Sequence, residues 1–146
     1  MARGERAEGR RGMSTSGRSP AETLLAVQLE QDGIHEAGRT IELPVYEREF
    51  RFAPPRRWRA DFMIVARPTW NAMLEKWDTN RILVEIDGGG YVAGRHSRGA
   101  GIEKDAEKQS AAAILGYRVI RVTPRQVEDG RALLWIRAAL GLEEAA

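Results

Sequence analysis

The sequence predicts an α/β domain in which a mixed β-sheet carries helices on both faces. Three observations support this: two alternating runs flank Pro54-Pro55, a β-branched run covers residues 82–87, and a helix and a further strand follow it. Alternation of apolar and polar residues indicates strands, and the proline turn favours an antiparallel hairpin. A strand, a helix and a strand in succession favour a parallel pair with a right-handed crossover.

Composition limits the class of protein before any motif is considered. The chain has 146 residues, no cysteine and a formal net charge of +2. This length suits one domain with a core, and the lack of cysteine excludes disulfides and thiolate metal sites. No apolar run is long enough for a bilayer and no signal-peptide hydrophobic region opens the chain, so we expect a cytoplasmic protein without a membrane partner.

Residues 1–18 differ from the rest, because they are rich in glycine, serine and arginine and almost free of apolar side chains. This composition predicts a disordered basic arm, followed by a single folded domain over residues 19–146. The arginines of the arm either contact a nucleic-acid backbone or belong to a tail without function.

The first helix is predicted to begin at Pro20 and to end near Asp32, before Gly33. Ser19 is a suitable N-cap, and Glu22, three residues later, completes a capping box. Glu22 therefore has a structural role, and a second interpretation makes it an acid of a metal site. Residues 34–39 follow as a predicted loop.

The runs at residues 43–52 and 57–65 predict the two strands of the hairpin. A symmetric turn at the prolines places Glu49 directly opposite Asp61. Like charges opposite one another destabilise a sheet, so this pair calls for a cation. A slip of one residue would move every side chain to the other face. The same alternation puts Tyr46 on one face with the two phenylalanines that follow it.

The run over residues 82–87 has the composition of a buried strand and ends in glycines. Alternation puts Glu85 and Asp87 on one face and the isoleucines on the other. Two carboxylates on an apolar strand are costly to bury without a cation, and divalent metals take oxygen ligands. The alternative is an edge strand whose acids face water. We expect this strand to be central, because both of its neighbours in sequence can pair with it.

The remaining segments complete the predicted order. Residues 67–81 suggest a short helix or a flap, in which Trp70 and Trp77 either pack or contact a dimer partner or DNA. Residues 91–101 predict a flexible basic loop. A helix over residues 102–115, a strand over 117–122 and a last helix from Pro124 follow.

The predicted positions of the acidic residues and of one lysine favour a single kind of reaction, which is metal-assisted hydrolysis. Asp61 and Glu85 fall on adjacent predicted strands, and Lys108 on the following helix can reach the strand ends. A metal held by such acids activates water and polarises a phosphate, and a lysine stabilises the developing charge. The pattern therefore favours hydrolysis of phosphodiesters, with arginines on the nucleic-acid backbone.

The chain resembles the PD-(D/E)xK nuclease superfamily, whose core order is α-β-β-β-α-β. The resemblance rests on four segments: Arg56–Phe62 with Asp61, Val84–Gly89 with Glu85, Gly94–Gly99, and Asp105–Lys108. From Glu49 to Val122 it is similar to small phage-encoded endonucleases, among them archaeal-like Holliday junction resolvases.

The resemblance implies a restriction-endonuclease-like αβββαβ core with a mixed central sheet and a Mg²⁺-dependent DNA endonuclease, in which Mn²⁺ can substitute. A resolvase of this kind cuts four-way junctions as a homodimer, in the bacterial host's cytoplasm if phage-encoded. A repair nickase or restriction-type nuclease on the same core is one alternative, and a non-catalytic nucleic-acid-binding module is another. Branched or duplex DNA is the implied partner.

The resemblance also implies the site. The catalytic residues would be Glu49, Asp61, Glu85, Asp87 and Lys108, and the metal ligands Asp61, Glu85, Ile86 and Asp87. Candidate DNA contacts are Arg56, Arg57, Arg59, Arg95, His96 and Arg98.

The chain departs from the superfamily pattern at one point. The usual Glu-x-Lys is Glu85-Ile86-Asp87 here, so either Lys108 replaces the motif lysine or Asp87 adds a ligand. The first acid is also open. Resolvases of this type carry a glutamate on the first helix, which matches Glu22 as a candidate additional acid, whereas the hairpin register favours Glu49, which we prefer.

Overall fold

The computed structural model describes residues 18–88 and 98–142. Its elements are α1 (Pro20–Gln31), β1 (His35–Glu36), β2 (Val45–Arg51), β3 (Arg59–Asn71), β4 (Lys76–Ile86), α2 (Arg98–Ile114), β5 (Arg118–Val122), α3 (Pro124–Glu128) and α4 (Arg131–Leu140). The predicted basic arm before Arg18 lies outside the described residues, as do Arg95, His96 and the side chain of Arg98. Within the two described ranges, no helix combines the length and the apolar character needed to cross a bilayer.

The five strands form one sheet in the order β1-β2-β3-β4-β5. The β2–β3 and β3–β4 pairs are antiparallel, whereas β1–β2 and β4–β5 are parallel. The predicted α/β class, the mixed sheet and the parallel crossover are confirmed. The strand that carries Glu85 lies between two neighbours, as predicted.

Helices cover both faces of the sheet, and each face has its own apolar cluster. The larger one joins α1, α3 and α4 to the sheet around Phe62, Ile64 and Val84, which are fully buried. The smaller one joins Ala112 of α2 to Leu83. Burial of each large side chain contributes about 1.5–3 kcal/mol, so these clusters fix the positions from which α1 and α2 approach the strand ends.

The β2–β3 hairpin has the predicted register, because Arg48 lies opposite Phe62 and Phe50 opposite Ala60. The predicted single aromatic face is wrong, however. Tyr46 packs in the larger cluster, whereas Phe50 packs in the smaller one on the other face. The alternation breaks at the residue before Phe50, where the backbone enters the left-handed region.

Residues 67–81, for which a short helix was one prediction, extend β3 and β4 into a two-stranded ribbon instead. Trp70 and Trp77 pair across it with ring centroids 5.6 Å apart. The side-chain oxygen of Asn71 accepts hydrogen bonds from the N–H groups of Met73 and Leu74, which closes the turn. A local side-chain hydrogen bond and a cross-strand aromatic pair therefore override the helical pattern. A β-bulge shifts the pairing between Ala66 and Thr69.

Two smaller predictions are also corrected. The predicted loop at residues 34–39 contains β1, whose two residues pair with β2. The predicted last helix is two helices, because Gly130 interrupts it with a φ of +86° that suits glycine.

Candidate metal centre

Three carboxylates from three separate elements meet at one end of the sheet. Glu22 comes from α1, Glu49 from β2 and Asp61 from β3, and one oxygen of each lies within 4.8 Å of the others. Glu49 and Asp61 fall between the registered pairs of the hairpin, as the symmetric turn predicts. The sequence left a choice between Glu22 and Glu49, and the structure brings both to Asp61. This carboxylate cluster, Glu22, Glu49 and Asp61, could hold a metal ion.

The helix cap positions Glu22. The Ser19 N–H donates to Oε2 of Glu22 at 2.6 Å, and the Glu22 N–H donates to the Ser19 hydroxyl at 3.2 Å. This is the predicted capping box, and it is confirmed. Glu22 is only 6% exposed, and the cap holds its carboxylate in place beside the other two acids.

Backbone geometry positions the other two acids. Glu49 has a backbone φ of +52°, which residues other than glycine rarely adopt. Asp61 lies just beyond the last registered pair of β3 and β4, and its Oδ2 accepts the Ile86 N–H at 2.7 Å. Where the backbone pairing of β3 and β4 ends, the Asp61 side chain therefore accepts the next hydrogen bond from β4. This bond holds the end of β4 beside the carboxylate cluster.

The pKa values of the three acids depart from their usual values. Burial raises the pKa of Asp61 to about 6; the Ile86 N–H opposes this, and the charges of Glu22 and Glu49 add to it. Burial also raises the pKa of Glu49, helped by the hydrogen bond and charge of Glu22. Burial acts to raise the pKa of Glu22 too, but its hydrogen bonds to Ser19 leave it below the usual value. A cation that bound to such a cluster would compete with protons for the carboxylates.

Glu85 and Lys108 form an ion pair beside the cluster. The Lys108 Nζ lies 2.5 Å from the Glu85 Oε1 and donates to the Arg59 carbonyl at 2.9 Å. Lys108 thus reaches the strand ends, as predicted for it. Glu85 follows the last registered pair of β4, and Asp61 precedes the same pair on β3. The two acids therefore leave the sheet at the same point, although Glu85 is not one of the three clustered carboxylates.

Asp87 is held by a different cation. Both of its carboxylate oxygens accept from Arg121, at 2.9 and 3.0 Å, and its N–H donates to the Val122 carbonyl at 2.7 Å. Asp87 therefore lies in a bidentate pair outside the carboxylate cluster. The sequence analysis missed Arg121, because its place opposite Glu85 depends on the parallel β4–β5 register.

A cleft of about 470 Å³ opens beside the cluster, and Glu22, Asp61 and Ile86 contribute to its wall. Gly88 lines it as well, where a Cβ would come 3.2 Å from Pro124 Cγ. The glycine therefore lets the end of β4 pass close to α3.

Arginines surround the turn between β2 and β3. Arg56, Arg57 and Arg59 are exposed, as their predicted contact with DNA requires. Arg56 lies over the Trp58 ring, 4.8 Å from its centroid, and pairs with Glu107. The charge of Arg59 opposes the rise that burial causes in the pKa of Glu49.

Comparison with protein-family models, curated proteins and solved structures gives no match. The superfamily resemblance stays a prediction.

Proposed function

We propose that this protein is a metal-dependent DNA endonuclease. One observation carries the proposal: Glu22, Glu49 and Asp61 are far apart in sequence but place carboxylate oxygens within 4.8 Å of one another. Three acids at this distance repel one another unless protons or a cation lie between them. Carboxylate oxygens without nitrogen or sulfur donors favour hard divalent ions, so Mg²⁺ is the proposed cofactor and Mn²⁺ its substitute.

The donor set fits such an ion. The clustered carboxylates would hold it, and Glu85 and Ile86 adjoin Asp61 as sources of further oxygens. When bound, a divalent metal polarises a phosphate oxygen and makes water a better nucleophile.

The chain's own residues would supply the remaining functions. The ammonium of Lys108 would neutralise charge that develops on the phosphate. The exposed arginines of the β2–β3 turn would bind the DNA backbone on either side of the cut. The end of β4 would stay in place through the Asp87–Arg121 pair.

Among DNA substrates we propose four-way junctions. Support comes from the resemblance to Holliday junction resolvases, which also implies a homodimer whose two sites cut strands related by a twofold axis. A nickase or a restriction-type nuclease would use the same residues on other DNA structures.

The test is cleavage of a synthetic four-way junction in Mg²⁺ and, separately, in Ca²⁺. We expect paired symmetric nicks with Mg²⁺ and little cutting of linear duplex, flap or mismatched substrates. Preference for one of those substrates would exclude the resolvase but keep the nuclease.

Asp61→Asn is expected to abolish cleavage and to leave DNA binding intact, because the charge is lost and the shape is kept. Asp78→Asn is the matched control, since Asp78 pairs with Lys76 in the ribbon at the opposite end of β4. Full cleavage by Asp61→Asn would contradict the nuclease proposal.

A further inference from the structure

The Glu85–Lys108 ion pair is the most enclosed of those formed by the described residues. The side chains of Glu85 and Lys108 are 18% and 22% exposed, and the other pairs are more open. Lys108 arrives from α2, on the face of the sheet opposite to α1. The ammonium and the carboxylate lie 2.5 Å apart, the distance of a charge-assisted hydrogen bond.

This ion pair engages the carboxylate that lies across from Asp61 on the neighbouring strand. Asp61 and Glu85 leave the β3–β4 ladder at the same pair, and Ile86 binds Asp61 through its N–H. Of the acids on β4, Glu85 is therefore the one that adjoins an ion held by Asp61. While Lys108 occupies Glu85 Oε1, the carboxylate is a weaker ligand, because two cations compete for the same charge.

We propose that Lys108 and the divalent metal exchange at Glu85. In the metal-free protein Lys108 neutralises Glu85, and metal binding displaces the ammonium from the carboxylate. The Arg59 carbonyl, which already accepts from Lys108, keeps the displaced ammonium close to the arginine-rich turn, where the DNA phosphate would lie. The inference rests on the proposed function and adds a step to it: Lys108 lowers metal affinity before it assists cleavage.

We expect no such exchange at the Asp87–Arg121 pair, because Arg121 is held by more contacts than Lys108. Arg121 holds both Asp87 oxygens and lies 3.8 Å from Asp105, so a second acid also retains it. Lys108, by contrast, is held by one carboxylate and one neutral carbonyl. A single carboxylate contact is the easier one to give up.

The experiment is calorimetric titration of Mn²⁺ into the metal-free protein without DNA, combined with cleavage assays in Mg²⁺. Lys108→Met is expected to bind Mn²⁺ about five-fold more tightly, the size of one ion pair of this kind, and to cleave about 100-fold more slowly. A lysine with a purely structural role would weaken both. Lys108→Gln is a second variant in case Lys108→Met unfolds.

Lys104→Met is the matched control. Lys104 is an exposed lysine one turn earlier on α2, and its loss changes the net charge equally. We expect less than about a two-fold gain in Mn²⁺ affinity, because a distant exposed charge is screened. In a Glu85→Gln background, Lys108→Met should give no gain at all, since the contested carboxylate is absent.

Unchanged or weaker Mn²⁺ binding by both Lys108 variants would overturn the exchange, as would an equal gain from Lys104→Met. The absence of Mn²⁺ binding by the wild type would also overturn it. Tighter binding by Lys108→Met without DNA cleavage by the wild type would keep the exchange and remove the nuclease. Cleavage by the wild type without tighter Mn²⁺ binding by Lys108→Met would remove the exchange and keep the nuclease.

Discussion

Glu22 serves two purposes that single substitutions can separate. Its carboxylate caps α1 through Ser19 and also belongs to the carboxylate cluster. Glutamine serves as well as glutamate in a capping box, but it offers no charge to a cation.

Glu22→Gln should therefore leave the free energy of unfolding nearly unchanged and weaken Mn²⁺ binding at least about ten-fold. Ser19→Ala should cost about 1 kcal/mol of stability through the lost cap. Urea unfolding and calorimetry measure the two effects. Equal Mn²⁺ affinity in Glu22→Gln and wild type would remove Glu22 from the metal centre.

Asp61 makes the metal-free protein sensitive to pH. Its pKa is raised in the folded state from 3.8 to about 6, chiefly by burial. A raised pKa contributes stability that is fully present below the unfolded value and is lost as the pH rises through the folded one. We therefore expect the melting temperature of the wild type to fall relative to Asp61→Asn between about pH 4 and pH 6.

The pH dependence of Mn²⁺ binding should also reflect the titration of Asp61. Because Mn²⁺ displaces the proton, its affinity should rise over the same pH interval.

A melting-temperature difference between wild type and Asp61→Asn that stays constant with pH would show that Asp61 titrates normally.

At the scale of elements, the β2–β3 hairpin combines a predictable register with an unpredictable backbone. The proline turn fixes which residues face each other, so Glu49 opposite Asp61 could be predicted from spacing. The positive φ of Glu49 could not, because alternation alone predicts an extended backbone at this position.

Glu49→Gly should consequently be more stable than Glu49→Ala in the metal-free protein, by about 1–2 kcal/mol, because glycine alone adopts this φ without strain. Both variants lose the same charge, so their difference isolates the backbone. Urea unfolding in the absence of divalent ions gives the comparison. Alanine as stable as glycine would mean that the position is unstrained.

The contact between Asp87 and Arg121 depends on strand order and could not be predicted from the sequence. Arg121 reaches Asp87 only because β5 lies parallel to β4. Conversely, the start of α1 was predicted correctly from Ser19, Pro20 and Glu22, because a helix cap depends only on residues that are close in sequence. Local signals such as this cap could be predicted from the sequence, whereas the Asp87–Arg121 contact required the fold.

At the scale of the whole molecule, the carboxylate cluster joins α1 to the β2–β3 hairpin. A ligand that binds only the folded protein stabilises it by an amount that grows with the logarithm of the ligand concentration above the dissociation constant. At 100 times the dissociation constant, Mg²⁺ should add about 2.7 kcal/mol to the free energy of unfolding.

Thermal unfolding with and without Mg²⁺ measures this gain, and Asp61→Asn should lose most of it. Asp78→Asn, in the ribbon, should keep it in full. Equal stabilisation of all three proteins by Mg²⁺ would point to a general salt effect.

The bulge between Ala66 and Thr69 has a consequence for how copies of this protein meet. It lies beside Pro68, on the side of the ribbon that extends past β2. A proline offers no N–H, and a bulge spoils the regular spacing that an incoming strand would copy. The ribbon can thus display Trp70 and Met73 to water while that flank resists growth into fibrils.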